Sequence, residues 1–156
     1  NVLKERKDIR WHFIGRLQSN KVRSVVRSFE FIHSVDSLAL AERISRISSE
    51  EKRCPKILFQ VKFREDPAKG GFVPQDLLNL WTQLIDLPYW KVIGLMAIAP
   101  LDLDLDNRKS LFCECRQLAD QLNLQHCSMG MSSDWEVAVQ AGATWVRVGS
   151  GLFVEG

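Results

Sequence analysis

Short apolar runs alternate with longer amphipathic segments along almost the whole chain, and this alternation leaves few folds open. KILFQVKF (56–63) and WKVIGLMAI (90–98) are apolar runs of strand type, and stretches with helical spacing lie between such runs. Strands that alternate with helices pair in parallel, because each helix returns the chain to the same end of the sheet. Parallel strands covered by helices on their faces are expected to be almost continuously apolar, as these two are. The alternation therefore predicts an α/β protein built on a parallel sheet.

The pattern predicts six strands joined by five helices. The strands are predicted at 10–15, 31–35, 56–63, 90–98, 125–129 and 144–149. The helices are predicted at 19–29, 36–48, 75–86 and 108–123, and between Ser133 and Gly142. Ser19 and Asp36 are expected to cap the first two helices, and the acidic segment 100–107 is expected to be a loop.

Two architectures satisfy this pattern, an open doubly wound sheet and part of a (β/α)8 barrel. A (β/α)8 barrel typically takes about 250 residues, whereas this chain has 156. The difference is enough for two or three more strand–helix units of about 30 residues each. We therefore expect a (β/α)8 TIM-barrel-type fold whose first strands are absent. Residues 1–156 are expected to form a single domain, about the C-terminal two-thirds of the barrel.

Composition and spacing exclude several classes of protein. A formal net charge of +2 gives no argument for nucleic-acid binding. No window approaches the roughly 18 uninterrupted apolar residues of a membrane span. The four cysteines form no CxxC pair, so free thiols in a reducing cytoplasm are expected. The three histidines lack the spacing of metal ligands, so no metal site is predicted.

Ligands of either architecture bind beyond the carboxyl ends of the strands, and the end of the fifth predicted strand carries the strongest signal. Residues 133–136 fit the capping box S-x-x-E, so Ser133 is the expected helix N-cap. Residues 130–132 then form the turn before the helix. Free N–H groups at a helix start bind anions, and the Ser132 hydroxyl adds a donor. The turn therefore suits a phosphate group.

The end of the sixth predicted strand adds a second amide and hydroxyl, from Gly149 and Ser150. Two interpretations remain open, a phosphate site or two ordinary turns that need small residues. Asp134 and Glu136 count against an anion unless they point away from it or are used in capping.

Arg147 lies within the apolar strand WVRVG, and strand alternation places it inside the barrel if Val146 and Val148 pack against helices. An inward arginine needs an acceptor, because burying an unpaired charge is costly. A structural ion pair and a ligand contact are both open. His12, on the first predicted strand, is either a satisfied core histidine or a pocket residue.

Several runs of residues resemble those of a known family. They are WHFIGRLQSNK (11–21), GLMAI (94–98), SMGMSSDWEVAVQAGATWVRVGS (128–150) and GLF (151–153). These runs are similar to the pyridoxal-phosphate homeostasis proteins, the YggS-type family, and the resemblance extends over about 9–153. The resemblance implies the barrel fold of the alanine racemase N-terminal domain and pyridoxal 5′-phosphate (PLP) as the cofactor.

The resemblance also implies roles for individual residues. The family attaches PLP as a Schiff base to a lysine in a strand similar to A-V-S-K, which this sequence lacks, so that lysine is expected upstream of Asn1 and no catalytic residue is assigned. Lys62, which stands where the family usually has asparagine, is the one lysine at a predicted carboxyl strand end, so it is the candidate among these lysines to take the place of the missing one. The implied phosphate residues are Met129, Gly130, Met131, Ser132, Gly149 and Ser150, Arg147 is the implied contact of the pyridine nitrogen, and His12 and Met96 are implied to line the pocket near the ring.

The function implied by the resemblance is that of a PLP-binding protein of PLP homeostasis with little or no catalysis, which buffers PLP and the balance of amino acids and keto acids. An arginine at the pyridine nitrogen agrees with weak catalysis, because it weakens the ring as an electron sink. A PLP-dependent racemase-like enzyme and a cofactor-independent regulatory interaction protein remain as alternatives. The expected partners are PLP and PLP-dependent apoenzymes or a regulatory protein, and we expect a cytoplasmic monomer that contacts neither nucleic acid nor membrane.

Overall fold

A computed structural model describes residues 5–150 and contains a parallel sheet of six strands that lie in sequence order. The strands are β1 (His12–Phe13), β2 (Phe31–Val35), β3 (Lys56–Gln60), β4 (Lys91–Ala97), β5 (His126–Met131) and β6 (Trp145–Arg147). The helices are α1 (Val22–Ser28), α2 (Leu38–Glu51), α3 (Pro74–Ile85), α4 (Leu105–Gln121) and α5 (Trp135–Gln140), with a 3-10 turn at Ser19–Lys21. The GLF run at 151–153 lies outside the described residues.

The predicted order of strands and helices is confirmed, and β2 has the predicted bounds. Four predicted helix starts are wrong, and the fourth, at Ser133, is described with the functional site. Ser19 belongs to the 3-10 turn, so that α1 begins at Val22. Ser37 rather than Asp36 caps α2, because the Ser37 side chain accepts the Leu40 N–H.

The third error concerns the acidic segment predicted as a loop. Its last residues belong to α4, which begins at Leu105. Asp104 starts the helix, because its Oδ1 accepts the Asn107 N–H at 2.8 Å.

The sheet curls strongly, as contacts between distant strands show. The Trp145 ring on β6 lies 5.1 Å from the His12 ring on β1 and 5.4 Å from the Phe31 ring on β2, centroid to centroid. Side chains of β6 can reach β1 and β2 only if the intervening strands form an arc. Sequential parallel strands joined by right-handed crossovers also place every helix on the same face. The fold is therefore the barrel type, and the open doubly wound sheet is wrong.

The two faces of the arc have different compositions. The outer face packs against the helices in an apolar core that includes Ile57, Phe59, Leu95 and Phe112. The inner face carries histidines, Trp145 and other polar groups, and functional chemistry is expected there.

Close strand pairing makes one glycine of β4 necessary. A Cβ on Gly94 would lie 2.3 Å from the backbone oxygen of His126, its partner on β5.

No helix in the described part of the chain is long and apolar enough to cross a membrane.

Candidate functional site

The inner face opens into a cleft of about 650 Å³ near the carboxyl ends of the strands. Its walls come from β1, β2, β5, β6 and the segments that follow β1, β4 and β6, and they are mainly apolar. The lining residues that matter here are His12, His33, Ile98, Met131, Arg147 and Gly149. An apolar cleft with a few polar groups has the character of a small-molecule site.

Arg147 is held at this cleft by two neutral acceptors. Its Nη1 donates to the Ser128 hydroxyl at 2.7 Å, and its Nη2 donates to the Ala97 carbonyl oxygen at 2.9 Å. None of the ion pairs formed within residues 5–150 involves Arg147. The ion-pair interpretation is therefore wrong for the described part of the chain.

The charge of Arg147 persists despite its burial. Burial lowers the pKa of Arg147 to about 10, while the Asp134 carboxylate raises it. The guanidinium is thus cationic at pH 7, and two of its five N–H groups are used by Ser128 and Ala97. A partly desolvated cation with donors to spare favours a ligand that brings an acceptor.

A line of hydrogen bonds continues from Ser128 across the inner face. The Ser128 hydroxyl lies 2.8 Å from Nδ1 of His33, and Nε2 of His33 lies 2.8 Å from Nδ1 of His12. Burial lowers the pKa of His33 to about 3, and repulsion from His12, when that ring is protonated, and from Arg147 adds to the effect. Burial also lowers the pKa of His12. His12 therefore satisfies both interpretations, because it is hydrogen-bonded within the barrel and also lines the cleft.

Aromatic stacking fixes the planes of the rings beside this line. The His12 ring stacks on Phe31 at 4.0 Å, and the His126 ring stacks on Trp145 at 4.1 Å. The ring of Trp145 also contacts His33 at 5.5 Å. Because the rings pack on one another, the imidazole nitrogens have little freedom to change partners.

The predicted turn at the end of the fifth strand is partly wrong. Strand β5 continues to Met131, so that Gly130 and Met131 are strand residues. Ser133 is not the N-cap, since the cap position is Asp134 and α5 begins at Trp135. The Asp134 Oδ1 accepts the Met131 N–H at 2.7 Å, which removes that amide from the groups available to a ligand.

Asp134 forms an ion pair with an arginine of α4. Its Oδ2 lies 3.1 Å from Nη1 of Arg108, and both side chains are almost fully buried. Nη1 of Arg108 also donates to the Ser133 hydroxyl at 3.2 Å, so Ser133 takes part in this cluster rather than in a capping box. The acid that counted against an anion at this strand end therefore has its own cation.

The ends of β5 and β6 meet through two hydroxyl groups. The Ser150 hydroxyl donates to the Ser132 hydroxyl at 3.1 Å. A Cβ on Gly149 would meet nothing within 4 Å, so that this strand end is open in space. By contrast, Gly130 is needed for packing, because its φ is +98° and a Cβ there would lie 2.6 Å from the Cβ of Ala138.

Three other predicted residues lie away from the cleft. Met129 is fully buried in the core that faces the helices, so its side chain has no access to a ligand. Met96 is buried beside Ser128 in the sheet register and is not among the residues that line the cleft. Lys62 points into its own loop, with Nζ 3.5 Å from the Asp66 carbonyl oxygen. No lysine among residues 5–150 lines the cleft.

Sequence reasoning missed the roles of Ser128, His33 and Trp145. The available signal was a polar side chain on a buried parallel strand, because such a group needs a partner inside the protein. Within residues 5–150 there is no group of three or more side chains placed to hold a metal ion.

The pKa of His33 predicts a loss of stability in acid. Unfolded histidine binds a proton below a pH of about 6.5, whereas folded His33 stays neutral down to about pH 3. Between these values the unfolded state binds more protons, so the free energy of unfolding should fall by about 1.4 kcal/mol per pH unit as the pH decreases. Urea unfolding at pH 7, 6 and 5 measures this slope, and His33→Asn should make it shallower. Equal slopes in the two proteins would contradict the assignment.

The curled parallel sheet, with a cationic group inside and an apolar cleft at the strand ends, defines an α/β barrel of the small-molecule-binding class. The family of the alanine racemase N-terminal domain matches residues 3–155. A pyridoxal phosphate homeostasis protein of Synechocystis sp. is 45% identical over 152 residues, which cover 94% of this chain and 70% of that protein. A protein of the same name from Aquifex aeolicus is 40% identical, over 95% of this chain and 68% of its own length. This chain belongs to the pyridoxal phosphate homeostasis protein family.

Solved structures agree with this assignment. PipY of Synechococcus elongatus without PLP superimposes with a TM-score of 0.94 at 48% identity, over 98% of this chain and 74% of that one. The structure of PipY with PLP bound gives a TM-score of 0.91 at 46% identity, with the same coverage. An alanine racemase of Clostridium difficile gives 0.70 at 14% identity, over 91% of this chain and 40% of that one, and shares the fold.

Proposed function

We propose that this chain binds PLP in the cleft beside Arg147 and serves PLP homeostasis by holding the cofactor. The observation that carries the proposal is the Arg147 guanidinium, which is desolvated, tied to two neutral acceptors and left with N–H groups to donate. The relatives named for PLP homeostasis and the PipY structure with PLP bound support the choice of ligand.

The chemistry of the cleft fits the pyridine ring. Arginine can donate hydrogen bonds but cannot accept them, so a pyridine nitrogen that it contacts has to be unprotonated to serve as the acceptor. Ile98 and Val148 supply apolar wall for the faces of a ring. When bound, PLP supplies an electron sink for reactions of amino acids, and a ring nitrogen held by arginine is a weak sink. Arg147 therefore favours holding the cofactor over strong catalysis.

For the phosphate group we propose the edge formed by Ser132, Gly149 and Ser150. The two hydroxyls converge from neighbouring strand ends, and the space beside Gly149 is open. The Met131 amide is not included, because it already donates a hydrogen bond to Asp134. Gly130 contributes by letting β5 pass close under α5, and Met129 and Met96 contribute through packing.

The wider role of the protein follows from a cofactor that is held without strong catalysis. We propose that the protein buffers PLP, and with it the balance of amino acids and keto acids, as a cytoplasmic monomer. The recipients of PLP would be PLP-dependent apoenzymes or a regulatory protein. Similarity to the alanine racemase is one of fold alone, so it gives no support to racemase activity.

A comparison of two ligands tests the proposal and its phosphate part. PLP and pyridoxal share the ring, and only PLP carries the phosphate. Ser150→Ala removes one hydroxyl and should weaken PLP binding about tenfold, the value of a hydrogen bond to a charged group of about 1.5 kcal/mol. The same change should leave the Kd for pyridoxal within about twofold. Isothermal titration calorimetry measures both constants.

The control is Ser24→Ala, which removes an exposed hydroxyl of α1 that donates to the backbone carbonyl oxygen of Lys21. This variant should bind both ligands like the wild type. Failure of the wild-type protein to bind PLP would refute the proposed function. Equal losses for PLP and pyridoxal in Ser150→Ala would refute the phosphate assignment alone.

A further inference from the structure

We infer that His33 is a positioning residue for Arg147, acting through a one-way line of hydrogen bonds that runs from Arg147 through Ser128 and His33 to His12. The importance of His33 for ligand binding rests on the proposed function, whereas the direction of the hydrogen bonds can be tested in the protein without a ligand. Each link is short, at 2.7 Å, 2.8 Å and 2.8 Å in that order.

The direction of the line follows from counting protons at Ser128. Arg147 can only donate, so Ser128 Oγ accepts from Nη1. Ser128 is fully buried, and its hydroxyl has no other hydrogen bond in residues 5–150 besides those to Arg147 and His33. Its own proton must therefore go to Nδ1 of His33, because the opposite arrangement would leave a buried O–H without an acceptor.

The tautomers of both histidines are then determined. A neutral His33 that accepts at Nδ1 carries its proton on Nε2 and donates it to Nδ1 of His12. His12 in turn carries its proton on Nε2. No proton is left without an acceptor between Arg147 and His12, and neither ring has to be charged.

The surroundings of His33 keep it neutral. The groups that face it are His12 from β1, Ser128 from β5, and Trp145 and Arg147 from β6. His126 from β5 also lowers the pKa of His33 electrostatically. None of these groups is a carboxylate. A proton on Nδ1 of His33 would turn the ring into a second donor toward Ser128 and break the line at that point.

The consequence for Arg147 is a fixed geometry. Because Nδ1 of His33 accepts the hydrogen bond from the Ser128 hydroxyl, the lone pairs of Ser128 are turned toward the guanidinium. Without His33 the hydroxyl is free to rotate, and Arg147 then has one firm anchor, the Ala97 carbonyl oxygen. His33 thus holds the direction of the donors that Arg147 presents to the cleft.

Imidazole nitrogen NMR of histidine-labelled protein tests the direction of the line without any ligand. At pH 7 both His12 and His33 should show a pyridine-type Nδ1 and a pyrrole-type Nε2, and His33 should keep this pattern at pH 5. A proton on Nδ1 of His33, or titration of His33 near pH 6.5, would overturn the inference.

Two substitutions at His33 test its effect on Arg147. His33→Asn places an amide oxygen where Nδ1 stands and can still accept from Ser128, so its Kd for PLP and for pyridoxal should stay within about twofold. His33→Phe removes that acceptor and should raise both constants about three- to tenfold, the range of one hydrogen bond. Equal binding by His33→Phe and wild type would overturn the positioning role. Absence of PLP binding in the wild type would refute the proposed function, while the NMR result would still decide the direction of the line.

Discussion

Arg147→Ala is expected to raise the Kd for PLP by about 10- to 100-fold. A hydrogen bond from a charged donor contributes about 1.5–3 kcal/mol, and the substitution removes the cation that faces the cleft. The ring nitrogen belongs to both ligands, so the Kd for pyridoxal should rise by a similar factor. This distinguishes Arg147 from Ser150, whose loss should affect PLP alone.

The same variant should remain well folded, which separates a binding role from a structural one. Arg147 forms no ion pair with the described residues, so its removal leaves no carboxylate buried without a partner. Taking a poorly compensated cation out of a buried place costs little stability. We expect the free energy of unfolding to change by less than about 1 kcal/mol. Urea unfolding of the same protein sample measures it.

Two variants serve as controls for Arg147→Ala. Arg147→Lys keeps the charge and loses the two-point attachment to Ser128 and Ala97, so its Kd should lie between those of the wild type and the alanine variant. Arg46→Ala removes an exposed arginine that pairs with Glu50 on α2, and it should bind as the wild type does. An unchanged Kd in Arg147→Ala would contradict the assignment of Arg147 to the ring nitrogen.

Asp134→Ala is expected to lower the free energy of unfolding by about 3–5 kcal/mol, the usual result of removing one partner of a buried ion pair. The substitution leaves Arg108 buried without its carboxylate and the Met131 N–H without its acceptor. These two contacts join α4, the start of α5 and the end of β5. The loss should therefore be among the largest available from a single polar side chain of this protein.

Asp134→Asn and the pair with Arg108→Ala show which contact matters. The asparagine oxygen can still accept the Met131 N–H, so Asp134→Asn should cost less than Asp134→Ala. With both Asp134 and Arg108 replaced by alanine, the loss should be smaller than the sum of the single losses, because no unpaired charge remains. A loss below about 1 kcal/mol in Asp134→Ala, the range of exposed ion pairs, would contradict the buried pair.

Local patterns predicted the elements of the fold well where the signal lay within one element. The run FIHSV was predicted as a strand with the bounds that β2 has. Strand alternation also placed the Arg147 side chain on the inner face, where it lies. The errors occur at the element ends. Ser133 matched a capping box, yet Asp134 occupies the cap position because Arg108, 25 residues earlier than Ser133, binds the Ser133 hydroxyl.

The partners of the site residues were beyond local patterns for the same reason. His33 and Ser128 are 95 residues apart in sequence and hydrogen-bonded, and Arg147 reaches Ala97 over 50 residues. These contacts form only because the sheet curls, which brings β5 close to β2 and β6 close to β4 on the inner face. The positions of His12 and His33 in the sequence likewise do not indicate that the two side chains are in contact.

The sequence by itself determined the alternation of strands and helices and the parallel sheet. It also determined that an arginine and small residues lie at the strand ends. These features follow from contacts within a strand or a helical turn, which depend on residues a few positions apart. The tertiary structure alone decided that Arg147 has neutral partners, that Asp134 is turned toward Arg108, and that two histidines continue from Ser128 in one line. Those outcomes depend on how the strands curve around a common interior, and curvature brings together groups whose separation in sequence has no fixed value.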